Sequence, residues 1–168
     1  YILLLNKMNT IKRDTILKLI LVFSIFAILS AYFIQYVLGH QPCNLCLIER
    51  IPYIASIITI SIFLLLKRFE KLFLTMLISI FISAFVISSY HFGIEQGFIK
   101  ESLVCDLNST SVNLTKESLL NELKQKTVSC KDVTFKIFGL SLATINIFIS
   151  LIISVIIIKL FLSYEKNK

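Results

Sequence analysis

Four apolar stretches, each near twenty residues long, limit what this chain can fold into more than any other feature. They cover residues 16–38, 47–66, 72–92 and 137–158. About 20 residues rising about 1.5 Å each cross the roughly 30 Å hydrocarbon layer of a bilayer. Lipid offers a backbone no hydrogen-bond partner, so such stretches must be helices. Any one of them alone would pass for a buried helix of a soluble domain. Four in a chain of 168 residues leave no polar shell to enclose them. Hydrophobic residues make up 57% of the chain, against roughly 45–50% in ordinary soluble domains, so lipid is the natural solvent. The expectation is an all-α integral membrane four-helix bundle, one domain over residues 1–168, and not a nucleic-acid binder despite its net charge of +7. The first stretch follows Lys12 and Arg13 like a signal peptide. It is longer than the roughly 7–15 apolar residues of one and lacks a small-residue cleavage site, so it is expected to be a retained helix.

Charge placement orients the bundle. Cationic side chains near helix ends collect on the cytoplasmic face. The segment before the first stretch (Lys7, Lys12, Arg13, Lys18), the 67–71 turn and the C-terminal tail hold ten basic and three acidic residues, which is the whole net charge. The 93–136 connection holds six of each, and Glu49 and Arg50 cancel. Both termini are therefore expected in the cytoplasm, with two connections, about 39–46 and 93–136, facing out. All four cysteines lie in those outer connections.

Cys43 and Cys46 form Cys-Asn-Leu-Cys after Pro42 and lead into the second helix, whereas Cys105 and Cys130 lie apart in the long connection. Such a close pair either closes a disulfide ring or chelates a metal. An oxidising outer compartment favours the disulfide. Zinc would want a second close pair, or histidines near Cys105 and Cys130, and the chain has only His40 and His91, so no metal site is expected. A structural staple remains the alternative to a reactive pair, and it would make the chain a non-catalytic, disulfide-stapled membrane protein. Three features favour reactivity. The small ring restrains few chain conformations. Free N–H groups at a helix start stabilise a thiolate. Arg50 adds a fixed positive charge one turn beyond Cys46. An arginine at a helix end also snorkels to lipid headgroups as a matter of course. Glu49 reads as its partner or as a helix N-terminal charge.

His91 closes the third helix as an interfacial side chain. Gln35, Thr144 and Asn146 read as interhelical hydrogen-bonders rather than ligands. In the long connection, Leu119, Leu120 and Leu123 share one face of a short amphipathic helix over about 115–125. That helix rests either on the membrane surface or on the bundle.

Three pieces carry a family resemblance: Pro42-Cys43-Asn44-Leu45-Cys46-Leu47-Ile48-Glu49-Arg50, then Tyr90-His91-Phe92-Gly93-Ile94-Glu95, then Ser129-Cys130 followed by Phe138-Gly139-Leu140-Ser141-Leu142. In this order and topology the chain resembles the disulfide bond formation protein B (DsbB) family of bacterial inner membranes. The resemblance implies a quinone-dependent oxidase that regenerates a soluble periplasmic dithiol oxidant of the DsbA type. By position it implies bridges Cys43–Cys46 and Cys105–Cys130, with Cys105 attacked by the reduced partner. Electrons would pass to the Cys43–Cys46 pair, and Cys46 would face a ubiquinone or menaquinone from the membrane quinone pool. Arg50 and, more weakly, His91 would bind that quinone. The chain departs from the family in having no tryptophan.

Overall fold

A helix that is apolar on every side cannot be sorted into inner and outer faces by periodicity. In this chain small polar residues do the sorting. The computed structural model describes residues 2–100, 105, 130–131, 136–137 and 139–166. Helix α1 covers Ile2–Tyr36, the short α2 Asn44–Ile48, α3 Ile51–Leu66 and α4 Glu70–Glu95. A two-residue antiparallel ladder, β1 (Lys136–Ile137) with β2 (Leu140–Ser141), leads into α5 (Leu142–Lys166). The fold is all-α apart from that ladder. Arg13–Tyr36, Asn44–Leu66, Glu70–Glu95 and Leu142–Lys166 are each long and apolar enough to cross a membrane. The amphipathic helix expected at about 115–125 lies outside the described residues.

Helix α4 packs along α5 and against α3, and α1 packs along α3. Ser24, Ser56, Ser88 and Ser150 are fully buried where helices meet, because small residues let apolar helices approach closely without a hydrophobic drive between them. Ser56 donates to Ser24 across the α1–α3 contact at 3.1 Å. Around them Leu17, Ile60, Leu74, Phe81 and Ile157 form the apolar core. The outward faces stay apolar: Phe26 is 66% exposed and Leu65 84%, which suits lipid rather than water. At the end of the bundle away from the cysteines, Arg13 pairs with Glu70 at 2.8 Å and Lys71 with Glu165 at 2.7 Å.

Several helix boundaries differ from the sequence-based expectation, two of them for evident local reasons. The second span begins at Asn44 rather than residue 47, because the Cys43 sulfur accepts the Cys46 N–H at 3.2 Å and caps the first turn. It then breaks at Glu49–Arg50 before Pro52, whose ring lacks an N–H and crowds the preceding turn. The fourth span begins at Leu142 rather than 137. Gly139 takes φ +82° in the turn between β1 and β2, a conformation that costs glycine no Cβ clash. The Ser141 hydroxyl then accepts the Thr144 N–H at 3.2 Å, which starts the helix as an N-cap does.

Candidate active site

The break between α2 and α3 sets the geometry of the site. Cys43 occupies the N-cap of α2 and Cys46 its first turn. Their sulfurs lie 2.7 Å apart, both as free cysteines. They are closer than non-bonded sulfurs pack, so little movement separates the pair from a bond of about 2.05 Å. Cys43 is buried, and Cys46 is half-buried at the edge of a cavity.

The turn after Ile48 swings Glu49 inward, where it is buried. It meets His91 from the last turns of α4. His91 Nδ1 lies 2.9 Å from Glu49 Oε1, and its Nε2 lies 3.5 Å from the Cys43 sulfur. The other Glu49 oxygen accepts from Asn146 Nδ2 of α5 at 3.2 Å. Asn146 Nδ2 also donates to Ser88 at 2.7 Å, and Asn146 Oδ1 accepts from the Tyr53 hydroxyl. Side chains of three helices, α3, α4 and α5, thus hold one carboxylate in place. Glu49 accepts a hydrogen bond from His91 Nδ1–H, which leaves Nε2 free to accept a proton from Cys43. The Cys43 thiol is pulled down to about 5: contact with the Cys46 thiol does most of this, burial opposes it, and the His91 ring adds to the lowering.

Glu95 completes the ring of titratable groups. Its Oε1 lies 3.7 Å from His91 Nε2, and its buried Oε2 has no hydrogen-bond partner among the described residues. The Arg50 guanidinium donates to Gln35 Oε1 of α1 at 2.7 Å and stacks over the Tyr32 ring, 5.2 Å from its centroid. A cavity of about 320 Å³ lies between these groups, within the range of roughly 300–1,000 Å³ for small-molecule sites. Its long walls are apolar (Phe23, Ala27 and Ile34 of α1; Ile145 and Ile149 of α5), and one end carries Cys46, Arg50, His91 and Glu95.

Cys105 and Cys130 are joined by a disulfide, with Cα atoms 6.0 Å apart. Both are buried in one cluster with Cys43, Leu45 and Ile94. Asn44, between the first two cysteines, donates to the Cys105 carbonyl at 3.2 Å. The Cys105–Cys130 bridge is therefore docked on the first pair, and Cys130 lines the same cavity.

The structure brings Cys43, Cys46, Arg50, His91 and Cys130 to one cavity, with Cys105 held beside them. It differs from the sequence argument over where thiolate stabilisation falls. From the sequence it is expected on Cys46, with Arg50 one turn along. Here the helix breaks between the two, the histidine and capping N–H meet Cys43, and Arg50 reaches to α1. Gln35 and Asn146 do bond between helices, whereas Thr144 bonds locally to Ser141. Sequence reasoning missed Tyr53 and Ser88, quoted Glu95 within a motif without giving it a role, and assigned Glu49 only a local role. The available signal was the presence of Glu49 and Glu95 at the ends of apolar spans, where an ionisable group needs a partner.

Four lipid-facing spans carrying two cysteine pairs at one end define a multi-pass membrane protein with thiol–disulfide chemistry at one face. Residues 13–160 match the family model described as Disulfide bond formation protein DsbB, and the chain belongs to that family of membrane disulfide oxidoreductases. An uncharacterized protein of Rickettsia prowazekii (strain Madrid E) is 29% identical over 167 residues, covering 95% of this chain and 95% of that protein. No solved structure matches the chain.

Proposed function

We propose that the protein reoxidises a periplasmic DsbA-type dithiol protein and passes the electrons to a membrane quinone, ubiquinone or menaquinone, from the bacterial inner membrane. The observation that carries this reading is the docking of the Cys105–Cys130 disulfide on the Cys43–Cys46 pair, at the polar end of an apolar-walled cavity. The excess of cationic residues on the far end supports cytoplasmic termini and periplasmic cysteines.

In this reading a thiolate of the reduced partner attacks Cys105 and releases Cys130. The partner's second thiol then resolves the mixed disulfide and leaves oxidised. Two electrons now sit on Cys105 and Cys130. Thiol–disulfide exchange with the Cys43–Cys46 disulfide moves them to the first pair. The cavity fits a quinone ring: its walls are apolar and its polar end combines a thiol with a guanidinium. A quinone there supplies the sink for two electrons and two protons. Cys46, half-exposed to the cavity, is the sulfur that meets it. Arg50, fixed by Gln35 and Tyr32, offsets negative charge at a ring oxygen. His91 accepts the Cys43 proton, with Glu49 holding the ring in orientation.

The test is purified protein in detergent with quinone and reduced DsbA, followed by quinone absorbance. Catalytic loss of quinone absorbance that disappears in Cys46→Ser is expected. A folded intact chain that never reduces quinone would overturn the proposal.

A further inference from the structure

We propose that the reduced Cys43–Cys46 pair and His91 form a binding site for one zinc ion, which holds the pair in its dithiolate state. The sequence alone leads to no expected zinc site, since histidines are wanted near Cys105 and Cys130. The fold instead brings His91 across from α4 to Cys43. The sulfurs of Cys43 and Cys46 and a ring nitrogen of His91 lie within 4.8 Å of one another.

The distances suit a tetrahedral ion. With Zn–S near 2.3 Å and Zn–N near 2.0–2.1 Å, a sulfur and a nitrogen on one zinc stand about 3.6 Å apart. Cys43 Sγ and His91 Nε2 already stand at 3.5 Å. Two sulfurs on one zinc need about 3.8 Å, so Cys46 must withdraw by about 1 Å from its 2.7 Å contact. It has room, since its side chain borders the cavity.

The surroundings are those of a metal-binding histidine. Nε2 faces the thiols while Nδ1–H is held by the Glu49 carboxylate at 2.9 Å, and Asn146 fixes that carboxylate from behind. A carboxylate on the far ring nitrogen sets the tautomer and orientation of zinc-bound histidines generally. The Glu95 carboxylate stands beside these ligands, its Oε1 3.7 Å from His91 Nε2. Electrostatics point the same way. Two thiolates in contact repel, and a divalent cation between them removes that repulsion. Binding of Zn²⁺ releases the protons that the reduced pair still holds and transfers no electrons. The oxidised pair has no thiolate to offer, so the site exists only after reduction.

Zinc binding rests on this geometry alone. That zinc would stall electron transfer rests on the oxidase reading, because capped sulfurs cannot re-form their disulfide. Binding is therefore read directly, without turnover. The full chain in detergent is reduced with a non-chelating phosphine and titrated with Co²⁺ as a spectroscopic probe, then with Zn²⁺. The expected result is one Co²⁺ per reduced chain, with sulfur-to-cobalt charge transfer and intense tetrahedral bands that Zn²⁺ abolishes. The oxidised chain should show none. A Cys105→Ser/Cys130→Ser chain should keep the bands. Glu49→Gln should weaken binding about 10–100-fold, and His91→Ala by more, with circular dichroism verifying that each variant is folded. Equal binding by oxidised and reduced chains, loss of the bands in the Cys105→Ser/Cys130→Ser chain, or unchanged affinity in His91→Ala would each overturn the site. Bands as expected in a chain that never reduces quinone would leave the zinc site standing and remove the oxidase reading.

Discussion

His91 Nδ1 sits 2.9 Å from Glu49 Oε1, so a histidine at the end of α4 and a carboxylate from the α2–α3 turn form one buried unit facing Cys43. Because Glu49 acts through His91, Glu49→Gln should slow reoxidation of the first pair on the order of 10²-fold, the scale of a displaced acid–base group. The alkaline and acid limbs of the pH–rate profile should move as well. A purely structural Glu49 would lower the amount of folded protein and leave the profile in place.

Cys43 gives a pH signature. In the reduced chain its thiol titrates at about 5 rather than near 9. A folded value below the unfolded one stabilises the fold fully above about pH 9, less as pH falls, and not at all below about pH 5. The ultraviolet absorbance of the thiolate should therefore disappear with a midpoint near 5. The melting advantage of the reduced chain over Cys43→Ser should shrink over the same descent. A single thiolate midpoint at the ordinary thiol value would refute the assignment.

Arg50 is gripped by Gln35 and by the face of Tyr32. Lysine keeps the charge but loses the planar fork and the stacking. Arg50→Lys should raise the KM for quinone about tenfold or more while leaving exchange between reduced DsbA and the Cys105–Cys130 bridge unchanged. Steady-state kinetics at varied quinone, beside single-turnover exchange without quinone, separate the two effects.

Asn44 ties the Cys105–Cys130 bridge to the first pair through a hydrogen bond to the Cys105 carbonyl. Such a bond contributes about 0.5–1.5 kcal/mol, so Asn44→Ala should undock the bridge several-fold more often. Phosphine reduction of Cys105–Cys130 should then speed up by a similar factor. An unchanged reduction rate would mean that packing alone docks the connection.

Asn146 meets Glu49, Ser88 and Tyr53 in the interior. Interhelical hydrogen bonds in bilayers average only about 0.6 kcal/mol, but Asn146→Leu would strand several buried groups at about 1–3 kcal/mol each. The orphaned groups dominate, so the variant should melt well below the parent in detergent. Asn146→Asp, retaining an acceptor for Tyr53 but setting a second carboxylate beside Glu49, should also be destabilised. A melting point for Asn146→Leu within a degree or two of the parent would contradict this network.

The four spans were legible because lipid imposes a length and a composition that any reader of the chain can measure. The Cys-Asn-Leu-Cys element was legible because its chemistry is local to four residues. Helix ends were less so: the start at Leu142 depends on Gly139 and Ser141, and the break at Glu49–Arg50 on Pro52, each a local effect that hydropathy overlooks. The inward faces of the spans were hidden, since residues such as Phe81 and Phe26 are equally apolar and only packing buries the first while leaving the second in lipid.

The sequence by itself determined a four-span membrane chain with two cysteine pairs and a resemblance in which Arg50 and His91 matter. Only the tertiary structure decided that His91 serves Cys43, that Glu49 and Asn146 stand behind it, and that the loop bridge docks beside both. The physical reason is distance along the chain. His91 and Cys43 are 48 residues apart, and Asn146 and Glu49 97, so no local pattern encodes their meeting. It follows from how α3, α4 and α5 pack around their buried serines.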